Sequence, residues 1–183
     1  MNTALILIDL QMDYFAGGPM ELVGAEAAVL KAGRALGWFR EQGWPVIHVQ
    51  HLSVRPGAGF FIPGTPGVEI HSAVAPREGE AVVQKNFPNS FRATELQDRL
   101  DEADVKRLVI AGMMTHMCVD ATTRAAFDLG YECVVLADAC ATRALEHGHV
   151  NVPAAHVQAA FMAALGAVYA TVTGVKDMAG ELR

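Results

Sequence analysis

Short runs of hydrophobic residues alternate along the chain with longer segments whose hydrophobic residues recur at helical spacing. The runs contain few polar positions, and this pattern indicates strands that are buried on both faces of a parallel sheet. Six such strands are predicted: Thr3 to Ile8, Pro45 to Gln50, Ala81 to Gln84, Arg107 to Ala111, Glu132 to Leu136 and Ala167 to Val172.

Helical segments separate most of these strands. They run from Ala25 to Gln42, from about His116 to Leu129 and from about Val152 to Leu165, and a shorter one ends at about Glu102. Strands and helices in this order predict a doubly wound, three-layer α/β/α fold around a six-stranded parallel sheet. The length of 183 residues predicts a single domain, residues 1–183.

One segment, Leu52 to Arg77, has no hydrophobic periodicity and is rich in proline and glycine. It is too long for a simple connection, and such segments commonly act as lids or binding loops. Phe60 and Phe61 lie within it. We expect these two rings to line a pocket or an interface.

Composition and charge exclude several classes of protein. Hydrophobic residues make up 52% of the chain, the net charge is -6, and the 14 lysines and arginines are scattered. Nucleic acid and membrane surfaces are therefore not expected partners, because no basic run is present to bind them. Three cysteines without a C-x-x-C pair argue against disulfides and structural zinc. The first hydrophobic run ends at Asp9 without a preceding basic region, so we expect a cytoplasmic protein.

Three reactive side chains follow three different predicted strands. Asp9 follows the first strand, Lys85 the third, and Cys118 lies in the first turn of the helix after the fourth. Because ligands of open parallel sheets bind beyond the carboxyl ends of the strands, we expect these groups to meet there.

These residue types suit acyl transfer. A helix start and a nearby ammonium both favour the thiolate, and a carboxylate can move the proton. The alternative is that each residue is ordinary: a buried cysteine, as expected for Cys133 and Cys140, a capping aspartate, and a solvated lysine. Spacing alone leaves both interpretations open.

Longer blocks of residues add a family resemblance. They are ALILIDLQMDYF at Ala4 to Phe15, VVQKNFPNSF at Val82 to Phe91, VIAGMMTHMCVDATTRAAFDLGY at Val109 to Tyr131, and VVLADACAT at Val134 to Thr142. In this order and spacing, the chain resembles the isochorismatase-like cysteine hydrolases from about Ala4 to Thr173.

The resemblance implies a catalytic triad of Asp9, Lys85 and Cys118. It also implies a cis peptide bond between Met113 and Met114, and an oxyanion hole formed by the N–H groups of Met114 and Cys118. The implied fold is a six-stranded parallel sheet flanked by helices. Members commonly form homodimers or larger homo-oligomers, and we expect the same of this chain.

One motif of the wider superfamily is altered here. Nicotinamidases carry an Asp-x-His metal motif after the second strand, where this chain has HVQHLS at His48 to Ser53. The expected aspartate position holds His51, which disfavours a metal-dependent nicotinamidase, and we expect no metal and no other cofactor. Two histidines can bind a metal ion, but without a matched carboxylate we expect His48 and His51 to be buried or supporting groups.

The remaining candidates concern substrate binding. His116 lies two residues before Cys118, so the two do not share a helical face, and His116 is expected to form a pocket wall rather than act as a base. Four phenylalanines are weaker candidates for the same pocket: Phe15, Phe60, Phe61 and Phe91.

The predicted function is cysteine-dependent hydrolysis of a small amide-type carbon–nitrogen bond through a covalent thioester. Two alternatives remain open at this point. One is an isochorismatase-type hydrolase of a vinyl ether, in which Cys118 plays no part. The other is a non-catalytic binding subunit that has kept the fold. The small-molecule substrate itself is not predicted.

Overall fold

The computed structural model describes residues 2–182, and its centre is a six-stranded sheet in which all neighbouring strands are parallel. The strands, numbered along the chain, are β1 Thr3–Ile8, β2 Val46–His51, β3 Ala81–Lys85, β4 Arg107–Met113, β5 Glu132–Ala141, β6 Leu145–His147, β7 Val150–Val152 and β8 Thr171–Thr173. The order in the sheet is β3-β2-β1-β4-β5-β8, whereas β6 and β7 form a separate antiparallel hairpin.

Helices cover both faces of the sheet. Their ranges are α1 Ala25–Gln42, α2 Leu96–Glu102, α3 Asp120–Asp128, α4 Ala154–Val168 and α5 Met178–Glu181. Every residue of β1 is buried, and alternate side chains point to opposite faces. Leu5 and Leu7 pack with α1 and α5, and Ile6 and Ile8 pack with α2, α3 and α4. The predicted three-layer, doubly wound fold is confirmed.

Three elements differ from their predicted form. β5 continues to Ala141, and α4 continues to Val168, so the last strand begins only at Thr171. The hydrophobic residues Ala167 and Val168 suit a helix end as well as a strand, and their pattern alone does not distinguish the two. The hairpin of β6 and β7 was not predicted, because each strand has only three residues.

No helix among the described residues is long and hydrophobic enough to cross a membrane.

Gly112 allows β4 to approach β1 closely just before the turn that carries Cys118. Its φ is 142°, and a Cβ at this position would collide with the carbonyl oxygen of Ile8. The register between β4 and β5 also shifts here, between Ile110 and Gly112. The absence of a side chain at Gly112 therefore helps to set the path of the chain into the site.

Replacing Gly112 by alanine is expected to lower the free energy of unfolding by roughly 2–4 kcal/mol, because the added Cβ meets backbone at an unfavourable φ. Gly37 is the matched control: it lies inside α1, and a Cβ there has no neighbour within 4 Å. Gly37→Ala should raise the free energy of unfolding by up to about 1 kcal/mol. Urea unfolding measures both, and equal stability of Gly112→Ala and the wild type would contradict this reading.

Candidate active site

Asp9, Lys85 and Cys118 meet at the carboxyl edge of the sheet. Asp9 is the first residue after β1, Lys85 is the last residue of β3, and Cys118 lies in a π-helical turn, Thr115–Val119, between β4 and α3. The three residues are 0%, 1% and 3% exposed. The structure thus brings together the reactive groups that the sequence placed at three strand ends.

The Lys85 ammonium is the centre of this cluster. Its Nζ lies 2.7 Å from Asp9 Oδ2, 3.3 Å from Cys118 Sγ and 2.9 Å from Nδ1 of His51, the last residue of β2. An ammonium has three N–H groups, so each has an acceptor. A buried ion pair of this kind is held by its geometry and its extra hydrogen bonds rather than by Coulomb attraction alone.

Asp9 adopts an unusual backbone conformation, with φ of 52°, in the left-handed region that aspartate tolerates better than most residues. Its N–H donates to the carbonyl of Val49 at 3.0 Å. Its Oδ1 is buried and accepts no hydrogen bond from the residues that the structure describes. This oxygen is therefore available to take up a proton.

Burial and the negative charge of Asp9 raise the pKa of the Cys118 thiol, and the opposing effect of Lys85 is smaller. Lys85 favours the thiolate, as expected, but burial has the larger effect, so Cys118 needs the proton acceptor that the sequence assigns to Asp9. Burial opposes the charge of Lys85, but Asp9 and Cys118 together raise the pKa of the ammonium. The resting site thus pairs a neutral thiol with a charged lysine.

The cluster also has the donor set of a small metal site. An oxygen of Asp9, a ring nitrogen of His51 and the sulfur of Cys118 lie within 4.8 Å of one another. The Lys85 ammonium, however, is hydrogen-bonded to all three residues, so a cation of the chain already occupies the place of the ion. These residues do not fit a metal while Lys85 keeps its position.

His48 does not join this cluster. Side chains alternate along β2, so His48 faces the opposite side of the sheet from His51. It is 1% exposed, and its Nε2 lies 3.0 Å from Oε2 of Glu80. His48 and His51 therefore lie on opposite faces of the sheet and contact different groups.

Two candidate phenylalanines of the long segment pack beside the cluster. The ring of Phe61 is fully buried, 5.7 Å from the His51 ring and 4.7 Å from that of Tyr14. Phe60 lies 5.0 Å from Phe61. The N–H of Phe61 donates to Oδ2 of the buried Asp13 at 2.5 Å, which connects the segment to the short helical turn Met12–Tyr14 that follows β1.

The other candidates have contacts elsewhere. Phe15 is buried against the ring of His71, at 4.3 Å between centroids, and Phe91 stacks on Tyr131 at 6.0 Å. His116 Nδ1 lies 2.6 Å from the hydroxyl of Thr142. None of these three side chains has a hydrogen bond or ring contact with the triad among the described residues, and their roles in substrate binding stay predictions.

Gln11 is a residue of the site that sequence reasoning missed. Its buried amide pairs with the backbone of His51: Oε1 accepts from the His51 N–H at 2.7 Å, and Nε2 donates to the His51 carbonyl at 2.9 Å. The same Nε2 donates to the carbonyl of Val68 at 3.0 Å. The only available signal was a polar residue shortly after a buried strand, which is common in loops.

The peptide bond between Met113 and Met114 is cis, at the position that the resemblance implies. The carbonyl of Met114 accepts hydrogen bonds from the N–H groups of Met117 and Val119, which organises the turn around Cys118. The oxyanion-hole role of the Met114 and Cys118 N–H groups stays a prediction.

Fold and site together define an α/β protein with a buried aspartate, lysine and cysteine at the carboxyl edge of its sheet. A sequence model of the isochorismatase domain matches residues 3–173. The isochorismatase family protein YddQ of Bacillus subtilis (strain 168) is 53% identical over 172 residues, which is 94% of this chain and 96% of YddQ. The chain belongs to the isochorismatase family, which confirms the resemblance.

Two further comparisons bear on structure and chemistry. The crystal structure of an isochorismatase-family protein from Oleispira antarctica superposes with a TM-score of 0.94 at 54% identity, over 97% of this chain and 95% of that one. Maleamate amidohydrolase of Pseudomonas putida is 30% identical over 154 residues, covering 76% of this chain and 72% of that enzyme.

His51 makes stability depend on pH. Burial and the charge of Lys85 lower the pKa of His51 from 6.5 to about 4. The contribution of the neutral His51 ring to the free energy of unfolding is complete above pH 6.5, where the ring is neutral in both the folded and the unfolded state. It is lost as pH falls towards 4, where only the unfolded state takes up the proton. Between these pH values the free energy of unfolding of the wild type should fall by roughly 2–3 kcal/mol more than that of His51→Asn, because asparagine does not titrate. Urea unfolding at pH 7, 5.5 and 4.5 tests this, and parallel losses would contradict it.

Proposed function

We propose that the protein is a hydrolase that cleaves a small amide-type carbon–nitrogen bond through a thioester on Cys118. The observation that carries the proposal is the contact of one ammonium, Lys85 Nζ, with both the Cys118 sulfur and the Asp9 carboxylate. Nucleophile, proton acceptor and cation are thus within reach of one another, as covalent acyl transfer requires. The similarity to maleamate amidohydrolase supports an amide-type bond.

The first half of the reaction forms the acyl-enzyme. Because burial keeps the Cys118 thiol protonated at rest, Asp9 must take the proton as the sulfur attacks the acyl carbon. The new carbon–sulfur bond forms and the carbon–nitrogen bond breaks, and Asp9 returns the proton to the leaving nitrogen. Lys85 stabilises the transient thiolate, and the N–H groups of Met114 and Cys118 are proposed to hold the oxyanion.

Hydrolysis of the thioester completes the cycle. Asp9 removes a proton from water, the water oxygen attacks the acyl carbon, and the carbon–sulfur bond breaks. Cys118 regains its proton from Asp9, and the acid is released. Each step uses the same carboxylate, so one proton acceptor is sufficient for both halves.

The direct test is a panel of small amides, ureides and carbamoyl compounds, scored by release of ammonia or amine at neutral pH. At least one compound should be turned over by the wild type, and Cys133→Ala should turn over the same compound, because Cys133 is a buried residue outside the site. Turnover of vinyl ethers without any activity on the amide panel would contradict the proposal.

We also propose that the chain forms a homo-oligomer through α4. This helix contains no charged residue over its 15 positions, and its exposed side chains are mainly alanine. A helix that is apolar on its outer face is usually covered. Light scattering should therefore show a dimer or larger assembly, which Ala163→Glu should dissociate. Ala75→Glu, on the α1 side of the sheet, is the control. A monomeric wild type would contradict this proposal.

A further inference from the structure

We propose that His51 is a positioning residue that fixes the Lys85 ammonium by accepting its third N–H hydrogen bond. The inference rests on the proposed role of Lys85 beside Cys118. In this role His51 makes no direct contact with substrate and transfers no proton. His51 restricts the Lys85 ammonium to one orientation, in which the other two N–H groups point at Asp9 and Cys118.

The hydrogen-bond geometry requires a neutral ring of one tautomer. An ammonium only donates, so Nδ1 of His51, at 2.9 Å from Lys85 Nζ, must present its lone pair and leave the proton on Nε2. The groups that act on the ring agree: burial, Lys85 and Arg55 lower the pKa of His51, and Asp9 only partly opposes them. The ring is therefore neutral wherever the protein is folded near neutral pH.

His51 is itself held from two sides. Its backbone N–H and carbonyl both bond to the Gln11 amide, at 2.7 and 2.9 Å, which fixes the end of β2 against the end of β1. Its ring packs on the buried ring of Phe61. An acceptor fixed in this way does not follow Lys85 if the lysine moves, so it restrains the ammonium rather than only contacting it.

The consequence falls on Cys118. Lys85 lowers the pKa of the thiol through its charge and its hydrogen bond, against the larger effect of burial. If the His51 acceptor is removed, one N–H group of Lys85 loses its hydrogen bond, and the ammonium turns towards another acceptor. The N–H···S hydrogen bond from Lys85 to Cys118 then weakens. The thiol then reacts more slowly at a given pH, although Cys118 itself is unchanged.

Three variants separate this role from packing. His51→Asn places an amide oxygen close to the position of Nδ1 and keeps an acceptor, whereas His51→Leu fills similar space without one. His48→Leu is the matched control, because it removes a buried histidine of the same strand that faces away from the triad. The measurement is the rate of Cys118 alkylation by iodoacetamide from pH 6 to 10, with the modified peptide identified by mass spectrometry.

His51→Leu should alkylate about tenfold more slowly at pH 7.5, with its pH profile moved upwards, since a hydrogen bond to a charged group is worth about this factor. His51→Asn should stay close to the wild-type rate, and His48→Leu should leave the profile unmoved even if it melts at a lower temperature. Unchanged alkylation in His51→Leu would overturn the proposal, and so would equal slowing in His51→Leu and His51→Asn. If His51→Leu does not fold, His51→Asn is the test. A wild-type pH profile of alkylation in His51→Asn supports the proposal, and a slower or shifted profile contradicts it.

Alkylation needs no turnover, so this result is independent of the proposed hydrolysis. If no amide is hydrolysed but the His51 variants alkylate as expected, the proposed function is rejected and the positioning role of His51 is kept. If amides are hydrolysed but His51→Leu alkylates at the wild-type rate, the positioning role is rejected and the proposed function is kept.

Discussion

Cys118→Ala is expected to lower ammonia release from any amide substrate at least about a thousandfold, because the carbon–sulfur bond of the intermediate has no other atom to form it. Alanine is smaller than cysteine and Cys118 is buried, so the fold should persist with a modest loss of stability. The rate of ammonia release at saturating substrate is the measurement, and Cys133→Ala should retain the wild-type rate.

The same variant distinguishes the two alternative functions. In a vinyl ether hydrolase, Asp9 alone would move the proton, and Cys118→Ala would keep its activity on the ether. In a non-catalytic binding subunit, neither wild type nor variant would release product from any compound. Loss of amide turnover in Cys118→Ala together with full turnover in Cys133→Ala is the pattern that covalent catalysis predicts and that neither alternative predicts.

Lys85→Met is expected to have the second largest effect. Methionine has a similar length but no charge, so the variant leaves the buried Asp9 carboxylate without its counter-ion and Cys118 without its hydrogen-bond donor. Breaking one partner of a buried ion pair costs about 3–5 kcal/mol of unfolding free energy. Thermal melting and urea unfolding measure the loss, and amide turnover should disappear as well.

A second change should recover part of that stability. Asp9→Asn removes the unpaired charge, and asparagine tolerates the left-handed φ of 52° at this position. The double variant Lys85→Met with Asp9→Asn should therefore be more stable than Lys85→Met by at least about 1 kcal/mol, while remaining inactive. A double variant less stable than the single one would contradict the charge argument.

The fold was largely predictable because its strands are hydrophobic on both faces and its helices are separated from them by clear breaks. The positions of Asp9, just after β1, and Lys85, at the end of β3, were predicted correctly, since carboxyl ends of parallel strands share one edge. The hairpin of β6 and β7 and the start of β8 were not predictable, because segments of three residues carry too little pattern.

Within the site, sequence reasoning found the reactive groups and missed what holds them. The contacts of Gln11 with His51, and of His51 with Lys85, join residues 40 and 34 positions apart. No local spacing predicts such contacts. The sequence shows the groups that favour the Cys118 thiolate, a helix start and a neighbouring lysine, whereas the burial that raises the pKa of the thiol is visible only in the structure.

The most direct test of covalent catalysis by Cys118 is the mass of the intact protein during turnover of an amide from the panel, quenched in acid within the first seconds. An added mass equal to the acyl group is expected, located on the peptide that contains Cys118 and absent from Cys118→Ala. Steady turnover in the wild type with no added mass, combined with undiminished turnover in Cys118→Ala, would contradict covalent catalysis by Cys118.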